Sequence, residues 1–99
     1  MYVYSAKLTF HIEFSASLKD KRQVRRSIVD RTQQKFNASV AEIGTQDVHQ
    51  TLTIGVAVVS GEAAHAQRSL DEIIRFMEGN TEAELVGIEI YNEGGVGYE

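Results

Sequence analysis

The sequence predicts an α+β fold with the element order β-α-β-β-α-β, and three features predict it. Residues 2–14 alternate apolar and polar side chains almost without fault. Two stretches, 17–36 and 60–78, repeat apolar residues at helical spacing. Two alternating stretches joined by a turn lie between them, and a further alternating stretch follows the second helix. Alternation at period two marks a strand with one buried face, and recurrence every three to four residues marks an amphipathic helix.

In the first strand, Tyr2, Tyr4, Ala6, Leu8, Phe10, Ile12 and Phe14 share the apolar face. Ser15, Ala16 and Ser17 then turn the chain. Ser17 followed by Asp20 predicts a capping box with Asp in place of the usual Glu or Gln. Val24, Ile28, Thr32 and Phe36, with Val29 beside them, form the core side of the first helix, and Asn37 ends it. Arg25 falls inside this apolar arc. Either its stem runs along the arc's edge, or the helix changes phase there.

Residues 38–43 predict a short strand, and Gly44, Thr45, Gln46 and Asp47 a turn. Residues 50–60 predict a longer strand, with Leu52, Ile54, Val56 and Val58 on one face, completing a hairpin. Ser60 is placed to cap a second helix that runs to about Glu78 on an Ala63, Gln67, Leu70, Ile74 and Met77 stripe. Gly79 and Asn80 predict a left-handed end. Residues 84–91 predict the last strand, with Val86, Ile88 and Ile90 on one face. The domain is therefore expected to span 1–91, and 92–99, with three glycines and no core pattern, to form a flexible C-terminal tail.

This order is the split βαβ, or ferredoxin-like, arrangement. It implies a four-stranded antiparallel sheet with both helices on one face. The first and third strands are expected at the centre, parallel to each other. The outer face would carry Lys7, Thr9, His11, Thr51, Thr53, Gly55 and Ala57, which are small or polar. Base stacking on such a sheet needs aromatic residues on that face. Here Tyr4, Phe10 and Phe14 belong to the helix side.

Apolar residues at 42% and charged residues at 24% are ordinary for a globular domain. The chain has no cysteine, which excludes disulfides, thiolate zinc sites and cysteine nucleophiles. Residues 54–59, the longest apolar run, are too short to cross a bilayer, and the N-terminus lacks a signal-peptide pattern. A cytoplasmic protein without membrane contact is expected.

The charge distribution is uneven. Residues 17–36 hold seven of the ten basic residues, Lys19, Lys21, Arg22, Arg25, Arg26, Arg31 and Lys35, against Asp20 and Asp30. This makes about +5 inside a chain of net charge −4, and leaves three cations against twelve carboxylates elsewhere. Cations at a helix start oppose the helix dipole, whereas free backbone N–H groups with nearby cations suit a bound anion. Ser17, Lys19, Lys21, Arg22 and Arg26 are thus the candidate anion- or RNA-binding residues. Gln46, Asp47 and Gln50 form a candidate second polar site beside the hairpin turn. His11, His49 and His65 lack metal-ligand spacing, so no metal or cofactor is expected. No nucleophile–base pair or phosphate loop is visible, so the chain is not expected to be an enzyme.

The segment SLKDKR, then KFNASVAE, then QDVHQ, then GVAVVS resembles the YlxP-like family of small bacterial proteins. The resemblance runs from about Ser17 to Ser60. It implies a ferredoxin-like fold and emphasises Ser17, Leu18, Lys19, Lys21 and Arg22, then Phe36, Asn37, Ser39 and Glu42, then Gln46, Asp47 and Gln50. Arg25 departs from the family pattern, where an aliphatic residue is usual; so do His49, in place of a frequent Trp, and Thr51, in place of a frequent basic residue. Genes of the family often neighbour those for translation initiation and ribosome maturation, which implies a role near RNA or the ribosome. The expected function is a non-catalytic module contacting RNA or a ribonucleoprotein. The alternative is a homodimer packed through the outer sheet face, with an acidic ligand or protein partner.

Overall fold

The computed structural model of the chain describes residues 1–94. Their elements are β1 (Tyr2–His11), α1 (Leu18–Arg25), a π-helical turn (Arg26–Asp30), α2 (Arg31–Lys35), β2 (Ser39–Glu42), β3 (Thr51–Ser60), α3 (Ala63–Gly79) and β4 (Glu84–Gly94). The backbone at Arg25, Arg26, Asp30 and Arg31 stays in the right-handed helical region, so α1, the π turn and α2 form one continuous helix. The α+β architecture with two helices and a four-stranded antiparallel sheet is the expected one.

The sheet order is β2-β3-β1-β4, with β1 and β3 at the centre. These two strands run antiparallel, Leu8 opposite Ile54 and Phe10 opposite Leu52, not parallel as the sequence suggested. The helix crossover returns the chain in the direction of β1, so β2 is the strand that shares that direction. The β2–β3 hairpin then reverses it, and β3 inserts between them.

The alternation of β1 sends Ala6, Leu8, Phe10 and Ile12 into the core beside Leu52, Ile54, Val56 and Val58 of β3. Val24, Ile28 and Val29 from the first helix and Ala66, Leu70, Ile73 and Met77 from α3 cover this layer. Full burial of each Leu, Ile or Phe is worth ~1.5–3 kcal/mol. Phe14 does not belong to the core. The strand ends at His11, and Phe14 stands exposed in the turn beyond it.

The chain also departs from expectation at three ends. Ser60 does not cap α3, because its hydroxyl accepts from Glu62 N at 3.1 Å, before the helix begins. No left-handed residue closes α3. Asn80 has φ −108°, its N–H bonds Met77 O and its amide donates to Phe76 O at 2.7 Å. β4 continues through Asn92, Glu93 and Gly94, opposite Tyr4, Val3 and Tyr2 of β1. The expected tail therefore loses its first three residues to the sheet, and 95–99 lie outside the described residues.

A register shift between Thr9 and Phe10 leaves Val86 as the extra residue of β4. Leu85 then faces the core opposite Phe10, while Ile88 opposes Leu8 and Ile90 opposes Ala6. Val86, Ile88 and Ile90 remain exposed, because α3 packs chiefly on β3 and β1. Among the described residues no helix is long and apolar enough to cross a membrane.

Candidate functional site

The first helix starts where the sequence places it. Ser17 is extended (φ −159°, ψ 166°), and its hydroxyl accepts the N–H of Asp20 at 3.2 Å. Asp20 Oδ2 accepts in return from Ala16 N at 3.0 Å, one residue earlier than the usual reciprocal bond. Ser17 is thereby engaged as a cap.

Lys21 does not reach the surface. It is 3% exposed, and its ammonium donates to the carbonyls of Thr45 and of Val48 (2.9 Å). Glu42 Oε2 lies 2.9 Å from Lys21 Nζ. That approach lies outside hydrogen-bond geometry and the buried oxygen has no other partner, so the contact is an ion pair without a directed bond. The sequence assigned Lys21 to anion binding; its place is instead between the helix and the β2–β3 loop. The signal was available in the spacing, because Lys21 lies three residues before Val24 and seven before Ile28, on the same arc.

Arg25 has two physical explanations. Its Nε lies 3.7 Å from Glu42 Oε1, at the rim of the same ion pair. The π turn that follows inserts one residue into the helical ladder, which keeps both Ile28 and Val29 buried. Leu18, Lys21, Arg22, Arg25, Glu42 and Gln46 line a small cleft of about 210 Å³ here. Glu42 offsets one of its three positive charges.

Lys19, Arg22 and Arg26 are exposed, as are Arg31 and Lys35 farther along. None of the five makes an ion pair among the described residues. Lys35 Nζ stands 4.9 Å from the ring centroid of Phe76 and 5.8 Å from that of Phe36. The two rings meet edge to face at 5.4 Å.

The second polar group is divided. Gln50 Nε2 donates to Ser15 O at 3.3 Å and Glu13 O at 3.4 Å. His49 Nδ1 lies 3.1 Å from Ser15 O, which places a proton on Nδ1. These two side chains fasten the β2–β3 loop to the turn after β1. Gln46 borders the cleft, and Asp47 is exposed with no hydrogen bond among the described residues. Thr45 has φ 51°, unusual for a β-branched residue. It is held there by its carbonyl on Lys21 and its hydroxyl on Thr53 at 3.0 Å.

Among the described residues no three His, Asp or Glu side chains gather closely enough to hold a metal. Tyr91 on the outer face donates to Glu89 Oε2 at 3.2 Å, and the Glu89 charge, then this hydrogen bond, raise the phenol above its ordinary pKa.

Comparison with known proteins agrees with the motifs. Residues 3–90 match the family described as "Protein of unknown function (DUF503)". A Bacillus subtilis (strain 168) protein named "Uncharacterized protein YlxP" is 39% identical over 70 residues, covering 71% of this chain and 76% of that protein.

Proposed function

The chain belongs to the DUF503 family of proteins of unknown function, and for it we propose a non-catalytic, cytoplasmic module that contacts folded RNA, free or within a ribonucleoprotein, through the outer face of its first helix. The carrying observation is that Lys19, Arg22 and Arg26 are all exposed, lie three and four residues apart on the side opposite the buried Val24 and Ile28, and have no acidic partner among the described residues. Lys21 supports them from beneath. Folded RNA suits the reading better than extended single strands, because Phe10 is buried and the outer sheet face lacks an aromatic row for stacking. The polar residues beside the hairpin speak for structure over chemistry, since His49 and Gln50 are spent on backbone carbonyls.

Phosphate contacts lose affinity steeply as salt rises. Lys19→Glu/Arg22→Glu/Arg26→Glu is expected to abolish co-sedimentation with ribosomes or binding to folded RNA, while leaving the helical circular dichroism unchanged. Unaltered co-sedimentation of this variant rejects the reading.

One observation favours a second reading. Small residues of the outer sheet face, among them Ser5, Ala41, Gly55 and Ala57, floor a mostly apolar cleft of about 410 Å³ walled by Ile43 and Tyr91. A second copy packed there would make a homodimer. Sedimentation equilibrium tests it: Ala57→Arg is expected to dissociate the dimer, and a wild-type monomer at high concentration rejects the dimer.

A further inference from the structure

We propose that the π turn gathers five cations, Lys19, Arg22, Arg26, Arg31 and Lys35, onto one face of the first helix, in a row that follows a single phosphodiester strand of a nucleic-acid duplex. The inference rests on the RNA-contact reading above and extends its site by a further two turns.

A helix of 3.6 residues per turn advances about 100° per residue. Measured from Lys19, Arg22 and Arg26 then lie at about −60° and −20°. In an uninterrupted α-helix, Arg31 and Lys35 would lie at about 120° and 160°, and Asp30 would occupy the row at about 20°. The π turn at Arg26–Asp30 absorbs one extra residue. It brings Arg31 to about 20° and Lys35 to about 60°, and moves Asp30 to the flank at about −80°.

Burial checks this phase independently. Val29 and Thr32 are buried on the side of Val24 and Ile28. Without the extra residue, Val29 would stand about 140° from Val24, and with it about 40°; Val29 is in the core with Val24. All five cations are exposed, and the row runs along the side of the helix away from Val24 and Ile28, ending at Lys35, whose ammonium leans over the Phe36–Phe76 ring pair. Sixteen steps at 1.5 Å give a row about 24 Å long. Single-turn π insertions recur at functional sites. Here the insertion removes a carboxylate from a line of cations.

A row of like charges along one helix face, without stacking aromatics or a base-reading groove element, suits a sugar–phosphate strand read by shape. Arg22 borders the cleft on one side of the row. On the other side Arg31 borders a groove of about 520 Å³, where Phe14, Gln23 and Asn80 also stand.

The test is salt-dependent binding of labelled RNA and DNA duplexes of equal sequence, and of an acidic polyglutamate peptide. Five phosphate contacts give a slope of log K against log salt of about −4.5, and three give about −2.7. Arg31→Gln/Lys35→Gln is expected to lower the magnitude from the first value to the second, with Arg31→Lys/Lys35→Arg restoring it. Equal slopes on RNA and DNA support the row and show that the duplex backbone, not RNA as such, is its ligand. An unchanged slope for Arg31→Gln/Lys35→Gln, while Arg22→Gln/Arg26→Gln lowers it, overturns the row and leaves the RNA-contact reading standing. Wild-type binding to polyglutamate but to neither duplex overturns both.

Discussion

Lys21 Nζ sits 2.9 Å from Glu42 Oε2, joining the first turn of the first helix to the end of β2 beneath the protein surface. The same ammonium holds the carbonyls of Thr45 and Val48. One side chain thus fixes helix, strand and loop relative to one another. It also lets Arg22 and Lys19 project from a fixed backbone.

Removing one partner of a buried pair leaves the other charge uncompensated, at a cost of roughly 3–5 kcal/mol. Lys21→Met is expected to lose about that much in urea unfolding. Lys21→Met/Glu42→Leu should recover a large part, since the orphaned carboxylate is gone. A double variant no more stable than the single would show that the loop carbonyls, not Glu42, carry the cost.

The helix start supplies a smaller and separable effect. Ser17→Ala removes the acceptor of the Asp20 N–H, and loss of such a cap costs about 1 kcal/mol. Ser17→Asp retains an acceptor and is expected to stay near wild type. Equal destabilisation by both substitutions would count against the cap as the cause.

The strands were legible because a sheet with one covered face writes period two into the residues themselves. Residues 2–12 and 52–58 show it directly. The relative direction of β1 and β3 leaves no such mark, since either direction buries the same alternating set, and it follows from topology alone. Burial of Lys21 could be read from helical spacing, but its counter-ion Glu42 is twenty-one residues away. The π turn was visible as a single misfit, Arg25 inside an apolar arc. The bulge at Val86 was hidden, because Val86, Ile88 and Ile90 read as an unbroken face and the inward Leu85 lies out of step.

Tyr91 offers a pH-dependent readout of the outer face. The Glu89 charge and hydrogen bond raise its pKa above 10.0 in the folded chain. The folded state therefore holds the phenolic proton longer than the unfolded one. The associated stability is complete below the unfolded pKa and is lost as pH rises through the folded value. Glu89→Gln is expected to return the Tyr91 titration, followed by NMR against Tyr91→Phe, toward its ordinary range. A titration indifferent to Glu89 would show that the hydrogen bond at 3.2 Å does not persist in solution.

The exposed cations are expected to oppose stability while serving binding. Arg22 and Arg26, and again Arg31 and Lys35, stand four residues apart, and like-charge pairs at that spacing cost about 0.2–0.5 kcal/mol each. The third pair at this spacing, Lys21 and Arg25, is relieved by Glu42; the outer two have no such relief among the described residues. Lys19 and Arg22 also face the positive end of the helix dipole. Arg22→Gln/Arg26→Gln should therefore unfold at slightly higher urea than wild type at low salt. The gain should fade as salt screens the repulsion over a Debye length of about 10 Å at 0.1 M. The same variant should bind folded RNA more weakly. Substitutions that stabilise the chain and weaken binding together identify charges kept for a ligand. If this variant is destabilised instead, the two arginines support the fold, and the row loses its functional claim.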